Sequence, residues 1–305
     1  MQLTLCYRHE HHAPRPGLSG ADIEAVAHSV RGKLGADTRA ALTLEDLGRI
    51  EALCVNDVAF EVWSDLSRTL HDPEGEKVPG IFEFLPEIED DAVNVRVSPV
   101  DQTYTPETVL STFAHELGHA IFDGPALIAH RATQRAYGCR EPVRAYRIFE
   151  QRLTADAPQP ALHQAPDACE TSRLRPRLRE RTAFTVALRT EWRANHFMGC
   201  LLVPHERLLE AIAELGPVHD FALDFTHCSA EPCVGAHLPR IVCRRNDVET
   251  CLDGLTVHLA YAFGVTPWFI RRRLKRCGLL EDPRNDLAWL RAPHSARQSQ
   301  RTLNA

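Results

Sequence analysis

The chain has 305 residues, 44% of them hydrophobic and 25% charged, with a formal net charge of −6 at pH 7. That is enough chain for one substantial core plus a smaller domain, and the composition excludes a disordered or fibrous protein. The charge does not mark a nucleic-acid binder overall, no stretch approaches the roughly 20 apolar residues that span a bilayer, and the polar, histidine-rich start from Met1 to Pro14 has no signal-peptide core. A cytoplasmic protein is expected, in which the 10 cysteines serve as reduced thiols or ligands rather than disulfides.

From the amino terminus, Ser19 to Leu34 is predicted helical, because Ile23, Val26, Val30 and Leu34 recur at near-helical intervals. Thr43 to Leu53 reads as a second helix, opened by the capping-box pair Thr43 and Asp46. Val58 to Trp63 and Ile81 to Leu85 read as strands, and Val93, Val95 and Val97 alternate through a third. A further helix is announced by Thr105 as cap, Pro106 as first residue and Glu107 in the first turn, and Gly124-Pro125 stops it after Asp123. Its stripe of Val109, Leu110, Phe113, Leu117, Ala120 and Ile121 anchors it in a core.

That helix carries His115-Glu116-Leu117-Gly118-His119, an H-E-x-x-H motif. Residues four apart share a helix face, so both imidazoles can reach one tetrahedral zinc about 2 Å from each nitrogen. Glu116 then stands beside the metal without binding it, placed to take a proton from metal-bound water. A catalytic zinc usually has three protein ligands, and Glu191 is the best third one. It opens a second apolar helical run that ends at Pro204; the alternative is that Glu191 only favours the positive end of its own helix. Asn195, one turn on, is placed to hydrogen-bond a ligand imidazole if Glu191 binds metal.

Taken together, F-x-H-E-L-G-H and the later E-x-x-A-N-x-F-x-x-x-L-L-x-P resemble the ImmA/IrrE metallopeptidases, bacterial zinc proteases with a gluzincin-like site. The matching residues are Phe113, His115, Glu116, Leu117, Gly118 and His119, then Glu191, Ala194, Asn195, Phe197, Leu201, Leu202 and Pro204. The resemblance covers roughly residues 40 to 205. It implies His115, His119 and Glu191 as zinc ligands, Glu116 as general base, and an α+β zincin-like domain of a short sheet plus the H-E-x-x-H helix, followed by a helical carboxyl-terminal subdomain. It also implies a regulatory protease that cuts a DNA-binding repressor or antitoxin-like protein in stress response or mobile-element control.

The chain departs from the family pattern at Met198 and Val203, where a small residue and a methionine are usual. It departs more in spacing, with 71 residues between His119 and Glu191. The segment from about 125 to 190 therefore reads as an insertion, basic through Arg131, Arg135, Arg140, Arg144, Arg147 and Arg152, then Pro/Ala-rich from Ala155 to Pro166, then basic again from Arg173 to Arg181. Segments of that length serve as lids, binding elements or linkers. Glu141, Glu150 and Asp156 are fallback ligands within it.

The domain division is expected after residue 215, with residues 216 to 305 forming the helical, basic subdomain. From Arg240 to Ala305 there are twelve Arg/Lys against six Asp/Glu. Leu259 to Pro267 followed by Ile270 and Arg271 to Arg276 suggests helix, turn and basic helix, either a packing and substrate-docking element or a DNA contact. His227, Cys228, Cys233, His237, Cys243 and Cys251 form an irregularly spaced group that is either a structural zinc site or a loop with unpaired thiols. The polar residues after Pro293 read as a disordered tail.

The expected mechanism is water activation by zinc with Glu116 as proton acceptor and donor. Tyr104, His196 and His205 are candidates to steady the oxyanion. Asn94 to Ser98 is expected to pair with extended substrate, the alternative being that Val93 to Val97 is an interior strand. Two other classes fit the sequence: a DNA-binding regulator with a non-catalytic zincin fold, and a zinc hydrolase acting on small molecules.

Overall fold

A computed structural model describes residues 1–7, 18–85, 88–89, 91–136, 146–149, 175–224, 239–244 and 247–280, leaving aside the side chains of 146–149 and 175–188. The chain divides into two compact units, Met1–Pro204 with Ala262–Val265, and His205–Tyr261 with Thr266–Ala305. The division expected after residue 215 thus falls after Pro204, two residues beyond the end of the second motif helix at Leu202.

The first unit is mixed α+β. Its elements in chain order are β1 Gln2–Leu5, α1 Gly20–Lys33, α2 Leu44–Gly48, β2 Ala52–Val55, β3 Val58–Asp65, β4 Leu70–His71, β5 Lys77–Val78, β6 Gly80–Phe84, β7 Ala92–Val97, α3 Pro106–Phe122, α4 Gly124–Ala136, β8 Tyr146–Phe149 and α5 Arg175–Leu202. Six strands form one sheet in the order β1-β2-β3-β7-β6-β8. β1 and β2 are parallel, as are β3 and β7, and the other pairs are antiparallel.

Local chemistry accounts for these elements. Ser19 and Thr43 close capping boxes with Asp22 and Asp46 at the starts of α1 and α2. Asn56 and Asp57, at φ 49° and 68°, make the tight turn between β2 and β3, a conformation these short polar side chains tolerate. α2 ends at Gly48, so the helix expected over Thr43 to Leu53 gives way to β2. There Leu53 and Val55 alternate inward and pair with Phe60 and Val58, so sheet formation overrides the helical pattern.

β7 is an interior strand. Asn94, Val95 and Arg96 pair with Trp63, Ser64 and Asp65 of β3 on one side and with Glu83, Phe82 and Ile81 of β6 on the other. The backbone N–H of Ser98 donates to the Pro79 carbonyl at 2.8 Å. Asn94 to Ser98 therefore offers no open edge, and the expectation that it pairs with substrate is corrected: its hydrogen-bonding groups are used within the sheet.

The segment read as an insertion also supplies regular structure. α4 begins where α3 ends, β8 joins the sheet, and α5 starts at Arg175, well before the Glu191 motif. Glu141, Glu150 and Asp156 lie outside the described residues.

α3 packs on β6 and β7 through one side and on α5 through another. The core of this unit includes Phe82, Phe84, Val93, Val95, Phe113, Leu117 and Phe197, all 1% exposed or less, and each such side chain contributes about 1.5–3 kcal/mol by leaving water. Arg31, only 1% exposed, donates from Nη1 to the Leu201 carbonyl at 2.8 Å and from Nη2 to the carbonyls of Ala36 at 3.0 Å, Arg39 and Ala40. It satisfies one of the last carbonyls of α5 while shaping the loop after α1. An apolar replacement strands these acceptors, each at a cost of about 1–3 kcal/mol.

The second unit contains α6 His205–Leu215, a 3₁₀ turn Gly216–His219, a hairpin of β9 Phe221–Asp224 and β10 Arg240–Cys243, most of α7 Val248–Phe263, and α8 Pro267–Arg276. The hairpin was not read in the sequence, where a helical subdomain was expected. Cys243 lies in β10 and Cys251 in α7, while His227, Cys228, Cys233, His237 and the tail after Pro293 lie outside the described residues. Among the described residues no helix is long and apolar enough to cross a membrane.

Candidate metal centre

α3 buries its motif completely: His115 is 1% exposed and Glu116 and His119 are 0% exposed. The cap at Thr105 and Pro106 at the first position set the start of this helix, and the i, i+4 spacing brings both imidazoles to one side. Their Nε2 atoms are 3.1 Å apart. From α5, Glu191 places Oε2 3.4 Å from His115 Nε2 and Oε1 3.6 Å from His119 Nε2. Glu191 remains 30% exposed, so the centre opens to solvent on that side.

These separations pass a simple test for metal binding. Donors about 2.0–2.1 Å from a tetrahedral ion lie roughly 3.4 Å from one another, and the observed 3.1, 3.4 and 3.6 Å bracket that value. Three donors of nitrogen and oxygen type that share one face leave a fourth position for water or substrate. Among the described residues His115, His119 and Glu191 are the one group of three that can hold a metal ion.

A close approach of two helices makes this possible. A β-carbon added at Gly118 would lie 3.0 Å from Ala194 Cα and 3.2 Å from the Phe197 ring. Gly118, Ala194 and Phe197 are thus the surface along which α3 and α5 meet, which explains in packing terms why small and aromatic residues accompany the ligands in the two motifs. Gly80 does the same for the sheet: a β-carbon there would lie 2.5 Å from Thr112 Cγ2 and 2.6 Å from Glu116 Oε1. The start of β6 therefore lies directly against the Glu116 carboxylate.

Beyond these three residues, the His119 Nδ1–H donates to Asp123 Oδ2 at 3.0 Å, an arrangement that turns Nε2 toward His115 and Glu191. Arg193 Nη2 donates to Asp123 Oδ1 at 2.6 Å and to Thr190 Oγ1 at 3.2 Å. This buried chain ties the end of α3 to α5, two residues from Glu191. Sequence reasoning treated Asp123 only as the end of a helix, although its spacing of four from His119 was the available signal.

The charges agree with a place built for a cation. Burial pushes the His119 imidazole down, but hydrogen bonds to Asp123 and Glu191 and the charges of Asp123 and Glu116 outweigh it and raise it to about 10. Burial raises the Glu191 carboxyl, while hydrogen bonding to His115 and His119 and their charges bring it down to about 2. Both directions report one fact: the carboxylates here favour a positive charge between them.

The remaining expected residues are placed as follows. Asn195 Nδ2 donates to the Glu191 carbonyl at 2.8 Å, bracing the backbone of that ligand residue. Tyr104 is buried and immediately precedes the Thr105 cap at the start of α3. His196 stacks on Trp192, with ring centroids 5.2 Å apart, and its Nε2 faces Gly20 at the start of α1. His205 belongs to the second unit. No family model matches the chain, and neither a curated protein nor a solved structure is significantly similar to it.

Proposed function

We propose that the chain is a zinc-dependent endopeptidase of zincin-like fold, akin to the ImmA/IrrE peptidases, that cleaves a regulatory protein in the cytoplasm. The observation that carries this reading is the convergence of His115, His119 and Glu191 on one point with the buried Glu116 carboxylate beside them and outside the ligand set. Two imidazoles and one carboxylate suit zinc, which when bound supplies Lewis-acid polarisation of water and of the scissile carbonyl.

The chain's own residues do the rest. Glu116 accepts a proton from the attacking water and delivers it to the leaving amine, restoring its carboxylate at the end of the cycle. Gly80 keeps space for that carboxylate. Asp123, held by Arg193, orients His119. Glu191, 30% exposed, leaves that side of the centre open to water. The resemblance points to a DNA-binding repressor or antitoxin-like protein as the substrate.

The test joins elemental mass spectrometry with digestion of a denatured-protein peptide library. Wild type should carry about one zinc per chain and cleave, while Glu116→Gln should keep the zinc and lose about 10²–10⁴-fold in rate. Turnover retained by Glu116→Gln excludes its role as base, and a wild type without zinc excludes the cofactor.

A second reading, a DNA-binding regulator, draws on one observation. α8 carries Trp268, Arg271, Arg272, Lys275 and Arg276 along one side, opposite the buried Phe269, Ile270 and Leu274, and Arg272 lies 4.7 Å over the Trp268 ring. Arg271 is already engaged by Glu249 and Asp253 at 2.8 Å each, which lowers the charge available to phosphates. Duplex binding that weakens with salt and survives Glu116→Gln would favour this reading.

A further inference from the structure

A peptidase must hold the chain it cuts in extended form, and the general way to do so on a sheet is to add it as one more strand, bonded through its backbone. In this protein the strand that runs along the metal centre is β6. Its first residue, Gly80, lies against the Glu116 carboxylate, and two residues later the Phe82 ring is centred 5.9 Å from that of His119. One edge of β6 is bonded to β7, itself an interior strand. The opposite edge is therefore where a peptide can join β6.

That edge is taken by the chain itself. β8, contributed by the segment between the two metal-binding motifs, pairs antiparallel with β6, setting Phe149 opposite Ile81, Ile148 opposite Phe82, Arg147 opposite Glu83 and Tyr146 opposite Phe84. The pairing ends at Ile81, one residue from the point where Glu116 meets the strand. A peptide added instead to the outer edge of β8 would lie a further strand spacing of about 4.8 Å from β6.

We propose that Tyr146–Phe149 occupies the place of an extended polypeptide substrate on β6 and keeps the metal centre closed to peptides until it is displaced. The proposal rests on the peptidase reading of the centre. Four paired residues form a short strand by the standard of globular sheets, so its release breaks few backbone hydrogen bonds. The ligand class follows from the recognition: an extended chain, bound through its main chain, that competes with the internal strand for the same edge.

The test uses the full chain loaded with zinc. In one variant Ile148→Pro removes a ladder N–H and restricts the backbone; in a second, residues 145–150 are replaced by glycine and serine, which removes the strand without proline. Amide exchange is followed with and without a synthetic peptide of residues 144–151, and with a proline-substituted control peptide. In both variants the amides of Phe82 and Phe84, which face β8, should exchange at least about tenfold faster than in wild type, while those of Ile81 and Glu83, which face β7, and those of α3 keep their protection. The peptide, but not its control, should restore that protection and bind the variants at least about tenfold more tightly than wild type. Unchanged exchange of Phe82 and Phe84 in the glycine-serine variant, or equal binding to wild type, overturns the proposal.

Digestion of the denatured-protein library separates this proposal from the reading beneath it. Faster cleavage by the opened variants, abolished by Glu116→Gln, supports both. Equal cleavage by wild type and opened variants overturns occlusion and keeps the peptidase. No cleavage by any of them, with the peptide still captured, overturns the peptidase and leaves β6 a peptide-binding edge.

Discussion

Among the described residues two pairs of histidines are in contact, and one of the two is equipped for metal. His115 and His119 are buried in the first unit with Nε2 atoms 3.1 Å apart, share the Glu191 carboxylate, and have one member braced by Asp123 and Arg193. In the second unit His219 Nε2 and His258 Nδ1 are closer still, at 2.7 Å, but the contact is exposed and no third ligand completes a group among the described residues. Burial lowers both, but hydrogen bonds and charges of the surrounding carboxylates raise His119 overall, whereas the charge of His258 adds to the lowering of His219. Proximity of two imidazoles is thus not what makes a site; a shared carboxylate, burial and an oriented tautomer do.

The largest effect should come from breaking the complete group. His115→Ala, His119→Ala and Glu191→Ala should each abolish zinc retention through purification, exceeding the roughly 10–100-fold loss that follows removal of an outer partner. His219→Ala and His258→Ala should leave zinc content at the wild-type value. Elemental mass spectrometry of the five variants checks this, and loss of zinc on removing His219 would erase the distinction between the pairs.

Next in size is the brace. Asp123→Ala should weaken zinc binding about 10–100-fold and also destabilise the fold by about 3–5 kcal/mol, because it strands the buried Arg193 charge. The double variant Asp123→Ala with Arg193→Met removes that stranded charge. It should recover much of the stability in chemical denaturation yet keep the weakened zinc affinity in competition titrations. Affinity that recovers together with stability would make Asp123 a packing residue alone.

How much of this was legible in the sequence depended on whether the signal was local. His115, Glu116 and His119 follow from helical spacing, and Thr105 and Pro106 show where that helix begins. Asp123 obeys the same spacing but was overshadowed by its position before Gly124-Pro125. Glu191 has 71 residues between it and His119 and is singled out only through its second motif. Gly80 could not be read at all, since its importance exists only once β6 meets Glu116. The Thr43 to Leu53 misreading has a similar cause: the capping box was right, but strand pairing decides the state of Leu53. In the Arg-rich segment the charge pattern concealed both α4 and β8.

A smaller effect should come from the helix contact that lets Glu191 reach the histidines. Gly118→Ala places a β-carbon 3.0 Å from Ala194 Cα, so backbone must move. Overpacking of this kind costs about 1–3 kcal/mol. Part of that cost should appear as reduced zinc affinity because the displaced helix carries Glu191. A glycine substitution at the exposed end of α2, Gly48→Ala, meets nothing within 4 Å and is the control. Thermal melts with and without added zinc distinguish the two variants.

The smallest effect belongs to the incomplete pair, and its sign can be stated. Burial and then the neighbouring charge of His258 lower His219 below its ordinary 6.5, against a weaker opposing effect of Asp220. The unfolded chain therefore binds more protons than the folded one between the lowered value and 6.5, so stability falls as pH drops through that window and levels off below it. His258→Gln removes the neighbouring charge and should move the His219 midpoint upward, narrowing the window. Proton NMR titration of the imidazole Cε1 resonances reads both midpoints directly. An upward shift of His219 would show that mutual repulsion adds to burial in the second pair, whereas the first is governed by the carboxylates around it; an unmoved midpoint would attribute the lowering to burial alone.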